Sequence, residues 1–306
     1  MVELHSRYTV TVVIHTFNQD KSINKCLTGV ISQTYFPFIR VLVIDDCSSD
    51  LTNEISLEIA KKYPDQITVI TNDTNQYQKG GLIGIEEYYK INTKYIAWCD
   101  GDDYWCDPNK IEKQVKILEA DSNIGIVHTN YVLTYPNQDP HTIVPRSLRE
   151  SLRARKVTSG QDLVFGNDIK HSTSVILMAE IDLDFLTKST GIFAGDWLIN
   201  ISASTTKSIH YVEDVTTVVG VSQKGIWNGQ DRKANDLQKD LIRWYSAAQL
   251  PDSKLRETFR NYLLKQHLKK RLRSTYPYRL VRPAVLMFRK FFAYLRSIRE
   301  RFSAAT

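Results

Sequence analysis

Residues 9–15 of this chain read Thr-Val-Thr-Val-Val-Ile-His, a β-branched run with almost no polar interruption. Such a run suits a strand covered on both faces, as in a parallel sheet, rather than one with a wet face. Ile23, Leu27, Val30 and Ile31 then recur at helical spacing after Asp20, a candidate N-cap. The unit repeats. Residues 39–44 form a second apolar strand, and Leu51, Ile55 and Ile59 mark a helix that Ser49 or Asp50 can cap. Residues 67–71 and 95–99 read as two more strands around a helix at 81–91, and a further helix follows from Asp107. Alternation of this kind specifies α/β: a Rossmann-like, mostly parallel sheet flanked by helices, with its ligand crevice at the carboxyl ends of the strands.

Composition narrows the class. The 306 residues are 42% hydrophobic and 24% charged, with 13 Gly and 9 Pro, which excludes collagen, low-complexity and wholly disordered chains. Purely apolar runs, such as 12–14 and 284–288, fall far short of the roughly 18 residues that span a bilayer. No secretory signal is visible, so a cytoplasmic location is expected. Cys26, Cys47, Cys99 and Cys106 have no metal-finger spacing and are expected to be reduced.

Two acidic clusters, Asp45-Asp46-Cys-Ser-Ser-Asp50 and Asp100-Gly-Asp-Asp103, each follow directly on an apolar strand and should face one crevice. Either could be a solvated turn, and the first also a helix cap. Three carboxylates in four positions nevertheless repel one another unless a cation is near. Oxygen ligands at a strand end suit Mg²⁺ or Mn²⁺, and an ion held by Asp100 and Asp102 could neutralise a leaving diphosphate. The turn after the first strand, His15-Thr-Phe-Asn-Gln-Asp20, is not glycine-rich, and neither GxGxxG nor a GxxxxGK[ST] loop occurs. Gly80-Gly81-Leu-Ile-Gly84 is a weak phosphate signal, and the neighbouring Lys79 could reach a phosphate or solvent.

Five segments in order, VTVVIHTFNQ at 10–19, ISQTY at 31–35, VLVIDDCSSD at 41–50, WCDGDD at 98–103 and GDW at 195–197, resemble the motif series of the family-2 glycosyltransferases. The resemblance covers roughly residues 8–230. It implies a GT-A fold and an inverting transfer of sugar from a nucleotide donor, UDP-linked, to a glycan or lipid-linked acceptor in surface polysaccharide synthesis. It further implies that Asp46 binds the base of the donor, with Thr16 and Phe17 lining the same pocket. Asp100 and Asp102 would be the DxD pair, Asp102 the more direct metal ligand, and Asp196 the general base that takes the acceptor proton. Asp196 could otherwise simply cap its helix. His15 stands where the family commonly has Pro, and Val219-Gly-Val-Ser222 where many bacterial relatives have Tyr-Arg-x-His, so Lys224 is a candidate substitute. The rival functions are a nucleotide-sugar binding protein without turnover and a sugar nucleotidyltransferase, although the glycine-rich basic loop of the latter is absent.

The expected organisation is a catalytic domain over 1–230, with a nucleotide-sugar half at 8–130 and an acceptor half at 131–230, then a helical basic extension over 231–306. Mixed strands are expected at 125–133, 173–178, 210–212 and 215–219, a helix at 196–205, and loops at 135–158. His128, His171 and His210, in or beside apolar strands, read as structural. Trp98, Trp105 and Trp197 read as core residues at least as readily as sugar platforms. Residues 261–306 hold twelve Lys and Arg against Glu300 alone, which makes this segment +11 and the remainder −5 in a chain of net charge +6. This segment could be a solvated basic helix packed on the catalytic domain, but cations beside Phe288, Phe291 and Phe292 favour peripheral contact with an anionic membrane, or docking of a partner, over nucleic acid.

Overall fold

The computed structural model describes residues 7–77, 83–135, 142–189, 191–192, 195–221, 232–251 and 253–275. Lys79, Lys224 and the aromatic tail after 275 therefore lie outside the described residues. The chain forms two compact units, Met1–Phe259 and Arg260–Thr306.

The apolar runs become β1 (Val10–Thr16), β2 (Ile39–Asp45), β3 (Ile67–Thr71) and β4 (Tyr95–Trp98), all mutually parallel. Their connections carry α1 (Ile23–Ile31), α2 (Thr52–Ala60) and the single turn α3 (Ile85–Tyr88). Next come β5 (Tyr104–Trp105), α4 (Lys110–Ala120), β6 (Ile124–Thr134), β7 (Val144–Pro145), α5 (Leu148–Ala154), β8 (Ser174–Leu177) and α6 (Leu183–Thr187). The last elements are α7 (Gly195–Ala203), β9 (Ser208–Gly220), α8 (Arg232–Gln249) and α9 (Lys254–Thr275). One sheet runs β3-β2-β1-β4-β8-β6-β9-β5, with β7 on β6. β8 lies antiparallel to both β4 and β6, whereas β6 and β9 pair in parallel. The sheet is thus parallel on its β3–β4 side and mixed on the other, and flanking helices make the architecture α/β as expected.

Several boundaries differ from the sequence reading. Asp20 does not cap α1, which starts behind Ser22 with no side-chain cap. Asp50 does reach the start of α2, accepting from Thr52 N at 2.9 Å. The helix expected from Asp107 begins at Lys110, and Asp107 instead accepts from Asn109 N at 2.9 Å. Residues 210–212 and 215–219 belong to one long strand, whose pairing with β6 shifts register around Asn130. The stretch expected to be loop holds β7 and α5, the latter opened by a capping box between Ser147 and Glu150. Trp98, Trp105 and Trp197 are all core residues.

Packing ties the two sides together. Ile23, Cys26, Leu27 and Val30 bury one face of α1, and a Cβ on its Gly29 would stand 2.8 Å from the Trp105 carbonyl oxygen. Only glycine lets α1 lie that close to β5. Lys110, at the start of α4, is fully buried; its Nζ donates to Gln114 Oε1 at 2.7 Å and lies 4.4 Å from the Trp105 ring centre.

Burial lowers the Lys110 amine from 10.5 to about 7, against weaker opposing pulls from Cys99 and Asp107. Between those two values the unfolded chain holds a proton that the folded chain does not, so this group makes stability rise with pH. Below about pH 7 both states are protonated and the burial penalty is constant. The unfolding free energy of wild type minus that of Lys110→Met should therefore climb between pH 7 and 9 by up to roughly 1.4 kcal/mol per pH unit. Urea titrations across that range test this, and a flat difference would show that the ammonium is solvated.

Candidate active site

The crevice is built where β1, β2 and β4 end. Asn18 and Cys47, just past β1 and β2, both take left-handed backbone conformations, with φ of 52° and 68°. Side chains compensate for that strain. Asn18 Oδ1 accepts from Ser49 N at 2.8 Å, and Asn18 N donates to Ser48 Oγ at 2.9 Å, which joins the two strand exits. Asp45 is buried and accepts from both the backbone N and the hydroxyl of Ser48.

Asp46 is also buried. It accepts from Asn72 Nδ2 at 2.8 Å, Gln76 N at 2.8 Å and Tyr77 N at 3.0 Å, so its carboxylate orders the segment that leaves β3. Its own backbone N donates to the Thr16 carbonyl at 2.9 Å. Thr16 is buried with its hydroxyl donating to Gln19 Oε1 at 2.8 Å, while Phe17 is 39% exposed. Asp46, Thr16 and Phe17 thus share one corner of the crevice.

The acidic turn after β4 is seated on that corner. Gly101 N donates to the His15 carbonyl at 2.9 Å, and a Cβ at Gly101 would fall 2.2 Å from Gln19 Oε1 and 2.8 Å from Thr16 Oγ1. The other side of the turn is held by the mixed half of the sheet. Asp100 N donates to Ser172 Oγ at 3.1 Å, and Ser172 Oγ donates to Asp103 Oδ2 at 2.5 Å. Gly220 N donates to Asp103 Oδ1 at 2.9 Å, and a Cβ on Gly220 would meet the Asp102 carbonyl oxygen at 2.4 Å. Packing three carboxylates this tightly separates their proton affinities. Burial, then the charges of Asp102 and Asp100, raises Asp103 well above the ordinary carboxylate range. Burial and the Asp100 charge push Asp102 up to about 6. Burial also presses Asp100 upward, but the neighbouring His171 and His15 outweigh it and leave Asp100 lowered.

Those two histidines were not singled out as site residues by the sequence. His15 Nδ1 lies 3.9 Å and His171 Nδ1 3.8 Å from Asp100 Oδ1. One ligand atom from each of the three residues falls within 4.8 Å of the others. Two imidazoles and a carboxylate are a chemically sound donor set for a divalent ion, so the residues fit the group that the sequence implied. Asp102, paired with Asp100 in the sequence reading, is not in this group. Burial lowers His15 to about 4, which keeps its imidazole neutral. His15 Nε2 is 3.3 Å from the Tyr88 hydroxyl, which accepts from Trp98 Nε1 at 2.9 Å, and the His171 ring stacks on Trp98 with centroids 4.4 Å apart. The local signal for His171 is only its position beside an apolar strand, and His128, inside β6, gives a signal of the same kind. His128 is fully buried with neither ring nitrogen hydrogen-bonded.

Asp196, in the first turn of α7, is positioned separately. Its Oδ2 accepts from Asn167 Nδ2 at 2.9 Å, and Asn167 Oδ1 accepts in turn from Asn200 Nδ2 at 3.2 Å. Trp197 anchors the same turn through Nε1 to the Leu163 carbonyl at 3.0 Å. The Asp196 carboxylate is held by one oxygen and has no cation beside it among the described residues.

The family described as glycosyl transferase family 2 matches residues 11–169. An uncharacterized protein of Mycobacterium tuberculosis is 26% identical over 226 residues, which are 72% of this chain and 60% of that relative. Glycosyltransferase AglE of Haloferax volcanii is 29% identical over 169 residues, 52% of this chain and 53% of its own. The Escherichia coli protein WfgD, named as a UDP-Glc:alpha-D-GlcNAc-diphosphoundecaprenol beta-1,3-glucosyltransferase, is 30% identical over 131 residues, 42% of this chain and 48% of its own. The chain thus spans about 60% of the length of the mycobacterial relative and about half of the other two. Among solved structures, Staphylococcus aureus TarS 1-349 in complex with UDP-GlcNAc superposes with a TM-score of 0.57 at 18% identity, covering 83% of this chain and 71% of that one. The Pyrobaculum calidifontis mannosyltransferase PcManGT, in complex with GDP-Man and Mn²⁺, gives 0.55 at 16% identity, covering 94% and 80%.

Proposed function

Because the chain belongs to glycosyl transferase family 2 and has a GT-A fold, we propose that it transfers a sugar from a UDP-linked donor to an acceptor hydroxyl with inversion at the anomeric carbon, in the assembly of a surface glycan. The observation that carries this reading is the seating of the Asp100–Asp103 turn on the exit of β1, which Asp46 N ties to the exit of β2. It places the acidic turn beside the corner formed by Thr16, Phe17 and Asp46. TarS structures with UDP and UDP-GlcNAc, and the WfgD name, support a UDP-linked donor.

In this reading Thr16 and Phe17 line the nucleotide pocket, and Asp46 shapes its wall through the segment 72–77. Asp100 and Asp102 serve the diphosphate end. A divalent ion bound there would supply positive charge as the diphosphate leaves. Asp196 takes the proton of the acceptor hydroxyl as its oxygen bonds to the anomeric carbon and the bond from that carbon to the diphosphate oxygen breaks. No covalent nucleophile is required, since positioning of the two reactants provides much of the acceleration.

Thermal shift of the full chain with UDP, GDP, CMP and dTDP sugars, with and without Mn²⁺, tests the donor. A ligand at 100 times its dissociation constant adds about 2.7 kcal/mol to native-state stability. A UDP-sugar should raise Tm by several degrees, and the same donor should give a labelled glycan in a single turnover. Binding without turnover would favour the nucleotide-sugar binding protein, and the absence of any donor shift would overturn the reading.

A further inference from the structure

We propose that Arg146 is the centre of an anion subsite in the mixed half of the sheet, and that it takes a phosphate group carried by the acceptor. The assignment of that phosphate to the acceptor rests on the transfer reaction proposed above; the subsite itself rests on geometry. Arg146 follows directly on β7 and is 8% exposed. Its Nη2 donates to the Asp168 carbonyl at 3.0 Å, and its guanidinium carbon lies 4.5 Å from the Tyr131 ring centre. Its Nε and Nη1 have no hydrogen-bond partner. A guanidinium keeps its charge in proteins, so this is a buried cation with most of its donors unmet. Burial of that kind is a standing cost, and a hydrogen-bonded oxyanion would offset it.

The carboxylates around Arg146 are engaged elsewhere. Asp168 Oδ1 pairs with Arg153 of α5 at 3.1 Å, and Glu150 Oε2 accepts from the Ser147 hydroxyl at 2.6 Å in the capping box. A second orphaned group adjoins the guanidinium: both ring nitrogens of His128 lack partners. Burial, then the nearby Arg146, lowers His128 to about 3, so its ring is a neutral donor rather than a second charge. A phosphate has oxygens enough for Nε, Nη1 and that ring together, where a carboxylate has only two. Residues 146–156 hold five cations against Glu150 alone, which gives this face a field that attracts anions. Asp168 stands between two arginines, its carbonyl on Arg146 and its carboxylate on the half-exposed Arg153. Exposed ion pairs hold weakly, so opening this one gives a ligand access to the buried guanidinium. The place is on the acceptor side, because Asn167, the residue before Asp168, holds the Asp196 carboxylate. The corner of Thr16, Phe17 and Asp46 belongs instead to the exits of β1 and β2, in the parallel half.

The test titrates the metal-free full chain with inorganic phosphate in a phosphate-free buffer, read by calorimetry and by melting curves. Wild type should bind one phosphate, with an affinity that saturating UDP leaves within about twofold. Arg146→Met should weaken phosphate binding at least twentyfold and yet melt no lower than wild type without phosphate, since it removes a buried charge that lacks an acceptor. An arginine with a purely structural role gives the opposite sign, so a variant that melts well below wild type, or fails to fold, overturns the subsite. Phosphate binding retained in the variant, or no saturable binding by wild type, overturns it as well. Competition between UDP and phosphate would place the anion with the donor diphosphate and overturn the acceptor assignment. Glucose 1-phosphate, a phosphate carried on a larger molecule, should displace inorganic phosphate; failure to do so would leave a site for the free ion alone and overturn that assignment too. Phosphate binding as described, without any donor shift, would remove only the proposed transfer. A donor shift and turnover without phosphate binding would remove only the subsite.

Discussion

Asp100→Asn should lower sugar transfer by roughly 10³-fold, about 4 kcal/mol of transition-state stabilisation, while leaving Tm within a few degrees of wild type. The activity loss follows from position. Asp100 is the carboxylate faced by both His15 and His171, and it shares its turn with Asp102. The retained stability follows from how the turn is held. Its restraints are the Asp100 backbone N on Ser172, the Asp103 carboxylate and Gly101 N, and none of them uses the Asp100 side chain. Asparagine also removes the charge that raises Asp102 and Asp103, so the variant relieves repulsion inside the turn. Steady-state transfer with saturating Mn²⁺, together with a melting curve, separates the two effects. Activity within tenfold of wild type would show that charge at position 100 does not serve the reaction.

For Asp196→Asn the expected signature is different. Turnover should drop by on the order of 10² or more, with the donor dissociation constant within about twofold of wild type. An amide keeps an oxygen for Asn167 Nδ2, so the turn at the start of α7 should hold its shape while losing its proton acceptor. Equilibrium binding of donor alongside single-turnover chemistry provides the check. A collapse in donor affinity would move Asp196 from the acceptor side to the donor side of the site.

The parallel half of the sheet was legible because β1, β2 and β4 are nearly continuous apolar runs, which only a doubly covered strand explains. Their ends announced the two acidic clusters for the same reason. The mixed half was legible as strands but not as pairings: nothing local shows that β8 inserts between β4 and β6, or that residues 208–220 form one strand across the register shift. The tiny β5 is two residues long, beyond the reach of periodicity. The capping box Ser147-x-x-Glu150 was readable, yet it lay in a stretch too polar to show a helical stripe. For the site, carboxylates at strand ends carried the signal. His171 did not, because its role depends on β8 lying beside β4, a contact between residues more than seventy positions apart. His15 was masked differently: its position matched the family while its residue type did not.

The clamp on the acidic turn has a consequence for how the chain is made. Ser172 and Gly220, which bond Asp103, follow it by 69 and 117 residues. At a synthesis rate of ~5–20 residues per second, the turn emerges on the order of ten seconds before its last restraint. For the first 69 residues of that interval the nascent chain carries three mutually repelling carboxylates with neither partner in reach, and afterwards the loop-closure entropy for the Gly220 contact is still to be met. β1 to β4 can pair as they emerge, since their contacts are nearer in sequence. The turn, by contrast, reaches its clamped geometry only after β9 has been added on the far side of the sheet, so vectorial synthesis completes the binding crevice near the end of the domain rather than with the strands that frame it.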